Sequence, residues 1–398
     1  MRRSVRVIIV NADEEYSAVI RADLLTLDGV QIVAEVDELA LVEQAVRQFP
    51  AEILMVHLDP MPEIALPIAA ELASTRPDLA VFVISASTDP QHILTAMRAG
   101  VREFITKPID RELLASAIGK VAVAATTSQE VGTLVSVMGT IGGAGASMLA
   151  ANLAVELASF ATAKPVAVVD LDFRYGQLAT MLDLQADYTI ADLCDTPEQL
   201  DVPMVQRAMV KHATGVHLLA RPNHFAQADQ ITAAHCASVL SSLQQMYEYV
   251  VVDGPVRFDP GGLAVLDLAD INIFVMQLLV TSVRNVHRMF TGLRDGGYNL
   301  DRFRLVCNRA GQESGHLEVP QIEKTLGKKV AYEIPDDWKT VSSAINIGSP
   351  LSEIAPKSRV RAAIREIAQT IAHEQTGSPA TKPEGKTGLL GRLFTAAT

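Results

Sequence analysis

Short, almost wholly apolar runs rich in valine and isoleucine recur along this chain, and amphipathic segments separate them. In the first part of the chain these runs are VRVIIV (5–10), QIVAEV (31–36), EILMVHL (52–58), AVFVISA (80–86) and EFIT (103–106). Runs without a polar face are typical of parallel strands that helices cover on both sides. The alternation therefore predicts an α/β domain over 1–124 with a doubly wound, flavodoxin-like sheet. Its last helix is expected to run from Asp110 to about Val123.

A second series follows ATTSQEVGT (125–133), a small and polar stretch that we interpret as an interdomain linker. Its runs are LVSVMG (134–139), PVAVVDLD (165–172), GVHLLA (215–220), YVVVDGP (249–255), INIFVMQ (271–277), FRLVCNRA (303–310) and KKVAYEIP (328–335). We expect a second α/β domain over 134–375, with a final helix at about 357–374. The tail, 376–398, is predicted to be flexible because Pro, Gly, Ser and Lys dominate its first half.

Composition narrows the classes of function. A length of 398 residues favours two domains. The net charge of −12 argues against nonspecific DNA binding as the main task, since backbone affinity needs a basic surface. No helix-turn-helix pattern follows the first domain, which disfavours a DNA-binding response regulator and any specific nucleic-acid partner. The widely spaced Cys194, Cys236 and Cys307 are typical of reduced thiols in an intracellular protein.

Residues 131–155 carry no charged side chain, a length sufficient for a transmembrane helix. The glycines between 139 and 145 and the polar Ser147 and Asn152 favour a strand, a loop and a helix instead. The stretch SVMGTIGGAGASMLAANLA (136–154) has the context of a P-loop, in which backbone amides and a helix N-terminus attract phosphate. Ser147 occupies the position of a magnesium-ligating hydroxyl, although a serine there also suits a helix cap. A purely structural glycine turn remains the alternative.

Three carboxylates lie at the ends of predicted buried strands. VAVVDLD places Asp170 and Asp172 after one run, and YVVVDGP places Asp253 after another. Buried carboxylates are costly unless they bind a metal or a polar partner. Together with the glycine loop, they predict a nucleotide site with Mg²⁺; a role as separate helix caps or loop acids is the alternative.

The first domain resembles a response-regulator receiver domain in VRVIIVNADEE, VFVISAS and FITKP. The resemblance places Ser85 at the Ser/Thr switch position and Lys107 in the Lys-Pro pair. A working receiver also needs clustered oxygen ligands for Mg²⁺ and a phosphoacceptor aspartate after its third strand. Here only Asp13 clearly remains of the ligands, and His57 stands at the acceptor position with Asp59 two residues later.

We therefore predict a degenerate receiver used for dimerisation or docking. Phosphorylation on His57 or Asp59 is the alternative, and Lys107 is expected to serve as a buried charge partner for Asp13.

The second domain resembles the deviant-Walker MinD/ParA ATPases through its loop, its strand-end acids and CNRA (307–310). The family pattern KGGxGK[ST] falls on 141–147, where Ile141 and Ala146 replace both lysines. The resemblance implies Mg²⁺ held with Ser147, Asp170 and Asp253, and an attacking water oriented by Asp172. It further implies that ATP or ADP contacts the following residues: Gly142, Gly143, Ala144, Gly145, Ala146, Ser147, Met148, Asn308 and Arg309.

The combination of the two domains resembles pilus assembly proteins of the TadZ/CpaE type. That resemblance implies a nucleotide-bound homodimer that localises and assembles a Tad (Flp, type IVb) pilus or secretion system. It implies a cytoplasmic protein at the inner-membrane face and cell pole of a bacterium, with partners such as the secretion ATPase. Without the two lysines we expect binding of weak to moderate affinity and very slow or absent hydrolysis.

Two expectations remain open. An active partitioning-type ATPase would need a cation in place of Ala146, and Arg174 and Arg221 are the candidates. The segment GLLGRLF (388–394) is too short for a stable helix in water. It could dock on a partner, contact a membrane surface weakly, or have no function.

Overall fold

The computed structural model describes residues 4–27, 29–124, 131–194, 200–254, 260–311 and 317–376. The strands of its first sheet are β1 (Val5–Val10), β2 (Val30–Val36), β3 (Ile53–His57), β4 (Ala80–Ser85) and β5 (Glu103–Thr106). The helices between and after them are α1 (Glu14–Leu25), α2 (Val42–Gln48), α3 (Pro62–Thr75), α4 (Pro90–Arg98) and α5 (Arg111–Ala124). The sheet is wholly parallel with strand order β2-β1-β3-β4-β5. This is the doubly wound, flavodoxin-like order, so the predicted fold class is confirmed for the first domain.

The second sheet has eight strands. They are β6 (Thr133–Gly139), β7 (Val166–Asp170), β8 (Met209–Lys211), β9 (Val216–Leu219), β10 (Tyr249–Gly254), β11 (Ile271–Met276), β12 (Phe303–Ala310) and β13 (Val330–Pro335). Their order is β13-β12-β11-β6-β10-β7-β9-β8. All neighbours run parallel except β8, which pairs antiparallel with β9. The sequence did not predict β8, because three residues are too few to show a pattern.

Helices cover the second sheet. They are α6 (Ala146–Ala158), α7 (Leu178–Met181), α8 (Ile190–Cys194), α9 (Val202–Ala208), α10 (Phe225–Ala228), α11 (Ala233–Met246), α12 (Pro260–Leu268), α13 (Val280–Asp295), α14 (Val319–Leu326), α15 (Trp338–Ile347), α16 (Leu351–Ile354) and α17 (Arg359–Thr376). The uncharged stretch 131–155 thus forms β6, a loop and most of α6, as expected. No helix in the part of the chain that the structure describes is long and apolar enough to cross a membrane.

The buried core explains the apolar runs. Strands β6, β7, β10 and β11 are almost wholly buried, because helices lie on both faces of the sheet. Helix α6 is buried along most of its length and packs against α17. Their contact includes Glu156, which is 2% exposed and bonded to Arg361 (2.6 Å) and Arg365 (2.7 Å). Such pairing satisfies a carboxylate that would otherwise be costly to bury.

The first sheet docks on the second domain through β1, β2 and α1. Arg21 forms an ion pair with Asp267 of α12 at 2.7 Å, and Gln31 donates hydrogen bonds to the carbonyls of Asp267 and Leu268. Arg6, 2% exposed, lies 3.6 Å from Asp270. One continuous apolar cluster also joins residues of α2 to residues of α11, among them Val46, Val239 and Leu240. Residues 125–130 of the predicted linker and 377–398 of the tail, including 388–394, lie outside the described residues.

Candidate functional site

The glycine-rich loop leaves the carboxyl end of the central strand β6 and enters α6. Gly143 and Gly145 have φ angles of 75° and 98°, the left-handed region that glycine adopts at little cost. Gly145 is the N-cap of α6 and provides no capping side chain. The first amide groups of a helix have no carbonyl partner inside it. The loop and helix start therefore present the donors that bind an anion.

Three amide side chains hold this loop. Gln277 donates to the carbonyl of Gly143 at 3.0 Å, and Asn308 donates to the carbonyl of Ala144 at 2.8 Å. Asn285 donates to the carbonyl of Thr140 at 2.9 Å. A Cβ on Gly145 would lie 2.2 Å from the Asn308 amide nitrogen, so glycine is required there for the contact. Asn308 thus supports the loop. The sequence did not point to Gln277 or Asn285, because an amide side chain at a strand end or on a helix belongs to no recognisable motif.

Asp170 and Asp253 face each other across two neighbouring strands, β7 and β10, in which they are directly paired in register. Burial raises the pKa of Asp170 to about 7, and burial together with the charge of Asp170 raises the pKa of Asp253 to about 8. Ser147 bonds to Asp253 and opposes that rise. The Asp253 Oδ2 atom is buried and has no hydrogen-bond partner among the described residues.

These groups fit a bound magnesium ion. Mg²⁺ takes oxygen ligands and usually needs only one or two protein carboxylates beside phosphate and water. The Ser147 hydroxyl, the two carboxylates and the unpartnered Oδ2 atom supply such oxygens where the loop would hold phosphate. Among the described residues no group of three or more His, Cys, Asp and Glu side chains has metal-binding geometry, so Mg²⁺ would be held here by two carboxylates and a hydroxyl rather than by a larger acidic cluster.

Asp172 lies just beyond β7 in a turn that it stabilises itself. Its Oδ1 atom accepts hydrogen bonds from the backbone amides of Tyr175 (3.1 Å) and Arg174 (3.4 Å). Asp170 accepts from the amides of Asp172 and Leu178, both at 3.2 Å. A helix-cap or turn role, the alternative for these acids, therefore describes Asp170 and Asp172 in this conformation better than Asp253.

Within the described residues, the contacts of the two candidate cations lie away from the phosphate side of the loop. Arg174 pairs with Asp229. Arg221 donates to the carbonyls of Gly176 (2.8 Å) and Pro222 (2.7 Å), and its charge opposes the rise in the pKa of Asp170. Arg221 therefore acts on the carboxylate side of the site.

Beside Asn308, Arg309 has a φ angle of 56° and donates its backbone amide to the Asn308 Oδ1 atom at 3.0 Å. Its guanidinium carbon lies 5.1 Å from the ring centre of Trp338, a residue that sequence reasoning did not single out. Of the remaining predicted residues, Gly142 lies in the loop between β6 and α6, and Ala146, Ser147 and Met148 are the first three residues of α6.

The site that we predicted to be a degenerate receiver site is organised around Asp59. Lys107 Nζ lies 2.8 Å from the Asp59 Oδ2 atom, which also accepts from the amide of Ala86 at 2.7 Å, and the Ser85 hydroxyl donates to Oδ1 at 3.1 Å. Although burial alone would raise it, bonding to Lys107 and Ala86 lowers the pKa of Asp59. We expected Asp13 as the charge partner of Lys107; the ion pair that the structure shows is with Asp59, which reaches back from the loop after β3 to the ammonium group.

The remaining receiver positions surround this cluster. His57 ends β3, is 2% exposed, and lies with Nδ1 2.5 Å from the Asn11 Oδ1 atom. Burial and the charge of Lys107 lower the pKa of His57, which favours the neutral imidazole. The amide of Asp13 donates to the Asn11 Oδ1 atom at 3.1 Å. Asn11 thus bridges the two predicted site residues.

Comparisons with known proteins agree with both halves of this description. The model of the response regulator receiver domain matches residues 7–119. The septum site-determining protein MinD of Bacillus subtilis is 26% identical over 258 residues, which cover 63% of this chain and 93% of that protein. The chain therefore consists of a receiver domain followed by a MinD/ParA-like α/β domain.

Solved structures share the fold of the second domain. A ParA family ATPase from Chlorobium tepidum TLS superposes with a TM-score of 0.57 at 22% identity, covering 61% of this chain and 99% of that one. MinD from Pyrococcus horikoshii OT3, complexed with Mg-ADP, superposes with a TM-score of 0.52 at 17% identity, covering 60% and 95%. The predicted class of the second domain is thereby confirmed.

Proposed function

We propose that this chain binds ATP or ADP with Mg²⁺ and hydrolyses ATP very slowly or not at all. The observation that carries the proposal is the buried, unpartnered Asp253 Oδ2 atom beside Ser147 and Asp170, at the foot of an anion-binding loop. A buried carboxylate oxygen without a partner is costly, and a bound cation removes that cost. Magnesium would supply positive charge to the phosphates, and the residues of the chain would position it.

Binding and hydrolysis depend on different groups. Loop amides, the start of α6 and the acidic pair can hold a nucleotide without any lysine. Phosphoryl transfer relies mainly on electrostatic stabilisation of charge on the transferred group. Ile141 and Ala146 provide no charge where the related pattern has two lysines, and each loss of about 1.4 kcal/mol in the transition state slows a reaction about tenfold.

We further propose that the protein is a homodimeric localisation and assembly factor for a Tad (Flp, type IVb) pilus or secretion system. The support is the resemblance to TadZ/CpaE-type proteins, in which a degenerate receiver precedes a MinD/ParA-like domain. Its place would be the cytoplasmic side of the inner membrane at the cell pole, with partners such as the secretion ATPase. The segment 388–394 would add a weak membrane or partner contact.

Calorimetric titration with ATP and ADP, with and without Mg²⁺, tests nucleotide binding, and light scattering of the same samples measures mass. We expect Mg²⁺-dependent binding, a dimer mass, and phosphate release far below that of an ordinary MinD-type ATPase. Asp253→Ala should abolish the dependence on Mg²⁺. Absence of binding to either nucleotide would contradict the proposal.

The cellular role has a separate test. A fluorescent fusion of the full chain should form polar foci, and deletion of its gene should abolish pili. Foci that persist unchanged after deletion of 388–398 would exclude a targeting role for that segment. Diffuse fluorescence and normal pili in the deletion strain would contradict the assembly role.

An active partitioning-type ATPase is the second candidate. The charge of Arg221 reaches Asp170, but this candidate requires the guanidinium to turn from the carbonyls of Gly176 and Pro222 toward the phosphates. This candidate expects a phosphate-release rate comparable to MinD-type enzymes and its loss in Arg221→Ala. A rate at background in both the natural protein and the variant would eliminate it.

A further inference from the structure

Helix α13 presents a row of arginines to solvent. Arg284, Arg288 and Arg294 are exposed, and none of them pairs with a carboxylate within the part of the chain that the structure describes. The sequence from 279 to 294 contains no Asp or Glu. The chain as a whole has a net charge of −12, so this helix carries positive charge that its own surroundings do not neutralise.

Exposed arginines on other helices find a partner nearby. Arg47 pairs with Glu43 one turn away in α2, and Arg76 pairs with Asp78 just beyond α3. The first acid of α13 is Asp295, its last residue, which follows an arginine directly in sequence. Adjacent residues on a helix do not face each other. The guanidinium groups of α13 are therefore available to a ligand from outside the described chain.

The opposite face of α13 fixes the direction in which these arginines point. Val286, Phe290 and Leu293 are buried in the core. Near the start of the helix, the Ser282 hydroxyl lies 2.8 Å from the hydroxyl of Thr140, the residue after β6. The exposed face is thus held in place before any partner binds, which lowers the entropic cost of binding.

The row of arginines is long, narrow and apolar at one end. Leu279 and Val280, at the start of α13, are 47% and 54% exposed. At about 1.5 Å per residue, Val280 and Arg294 lie roughly 20 Å apart along the helix axis. A single helix or an extended peptide covers a strip of this size, and recognition of a helix face by such a segment is a common mode of protein–protein binding.

Acids beside the strip disfavour a broad anionic surface. Exposed Glu318 begins the segment of α14, which packs against α13, and exposed Asp295 and Asp301 lie at the carboxyl end of α13. A membrane or a nucleic-acid backbone would bring its phosphates against these carboxylates, and like charges repel. A narrow acidic segment can contact the arginines without meeting them.

We propose that the exposed face of α13 binds an acidic segment of a partner protein. Its carboxylates would pair with Arg284, Arg288 and Arg294, and an apolar side chain would cover Leu279 and Val280. Charge complementarity of this kind supplies specificity and speeds association. The proposal goes beyond nucleotide binding and does not depend on it, since the face is formed by residues outside the glycine loop and the acidic pair.

The probe is a fluorescein-labelled, alanine-based helical peptide of about 16 residues, with glutamate at every fourth position and leucine at both ends. A second peptide has glutamine in place of each glutamate. Fluorescence anisotropy measures the affinity of both peptides for the full chain and for two triple variants. The first variant is Arg284→Gln, Arg288→Gln and Arg294→Gln; the matched control is Arg98→Gln, Arg102→Gln and Arg359→Gln, which removes the same charge from arginines that are also exposed.

We expect the natural protein to bind the glutamate peptide and not the glutamine peptide, with an affinity that falls as salt is added. The α13 variant should bind at least about tenfold more weakly, whereas the control variant should stay within about twofold of the natural protein. Absence of binding by the natural protein, or an equal loss in both variants, would overturn the proposal.

Vesicles of phosphatidylcholine and phosphatidylglycerol and a DNA duplex are tested with the same three proteins. We expect no binding to either that the α13 variant loses. Binding to the vesicles or to the duplex that disappears in the α13 variant alone would assign the face to a membrane or to a nucleic acid and would also overturn the proposal. Circular dichroism of each variant checks that the fold is retained.

Discussion

At the scale of single residues, Gly145 is a loop position that does not tolerate a side chain. An alanine there would keep a φ of 98°, which costs an L-residue about 1–2 kcal/mol, and would push Asn308 away from the carbonyl of Ala144. We predict that Gly145→Ala lowers the free energy of unfolding of the nucleotide-free protein by at least that amount, measured by urea denaturation. Gly142→Ala is the control, because a Cβ at Gly142 meets nothing within 4 Å. Equal stabilities of the two variants would contradict the described loop.

The acidic pair gives a pH-dependent prediction. Burial and the charge of Asp170 raise the pKa of Asp253, so the folded state resists ionisation that the unfolded chain undergoes freely. Stability is therefore lost as the pH rises above the ordinary aspartate range toward about 8. Asp253→Asn should be more stable than the natural protein without nucleotide, by a margin that grows from pH 5 to pH 8, and should lose Mg²⁺-dependent binding.

Thermal denaturation across this pH range measures the effect of Asp253→Asn. The exposed carboxylate of Glu71 in α3 provides the control, and Glu71→Gln should show no such growing margin. A constant difference between Asp253→Asn and the natural protein at all pH values would show that Asp253 ionises normally.

The sequence predicted which residue types gather at the site better than it predicted their contacts. Strand ends and a glycine loop are readable as patterns, so Asp170, Asp253 and Ser147 could be placed together. The partner of Lys107 could not be predicted in this way. Asp13 and Asp59 both lie near the strand ends in sequence, and the path of the loop after β3 brings Asp59 to the lysine. Trp338 was missed for a related reason: an aromatic residue at a helix start has no distinctive spacing.

At the scale of secondary-structure elements, Asp59 joins the ends of three strands. It follows β3, bonds Ser85 at the end of β4, and pairs with Lys107 just after β5. Hydrogen bonds to charged groups contribute about 1.5–3 kcal/mol, and Asp59 and Lys107 are only 23% and 19% exposed. We predict that Asp59→Ala destabilises the receiver domain by about that amount at pH 7.

The low pKa of Asp59 fixes the direction of the pH dependence. Its contribution is complete above the ordinary aspartate pKa and is lost as the pH falls from there through the lower pKa of the folded state. Asp59→Ala should therefore approach the natural protein in stability on acidification, measured by chemical denaturation at several pH values. Asp78→Ala, which removes a carboxylate from the exposed pair with Arg76, should change stability little. A similar loss in both variants would refute the structural role of Asp59.

The strand patterns were predicted well because burial on both faces leaves a continuous apolar signature. The boundaries moved by one or two residues; the predicted run 328–335, for example, forms a strand only from Val330 to Pro335. Helix and strand ends depend on tertiary contacts that a local pattern does not encode.

At the scale of the whole molecule, the contacts between the two domains predict coupled unfolding. Arg21 is 27% exposed and pairs with both Asp267 of the second domain and Glu35 of its own. Its removal leaves these carboxylates without a counter-charge at the interface, which we expect to cost about 1–2 kcal/mol. Scanning calorimetry of the full chain should show Arg21→Ala unfolding at lower temperature and over a broader range, as the domains lose cooperativity.

Arg76→Ala removes an exposed arginine of the first domain whose partner, Asp78, belongs to the same domain. It should leave the shape of the calorimetric transition unchanged. Transitions of equal width and midpoint in Arg21→Ala and Arg76→Ala would argue that the domains unfold independently of this contact.

The docking of the first sheet on α12 has a consequence for how such a protein evolves. Helix α12 is the next helix after β10, the strand that carries Asp253. Two consecutive elements therefore contribute to the proposed metal site and to the surface that contacts the receiver. Substitutions on the receiver at Arg21 should therefore be inherited together with changes at Asp267, its side-chain partner. A receiver transplanted from an unrelated chain would lack the residues that make these contacts with α12. We therefore expect the two domains of this protein to have been inherited together.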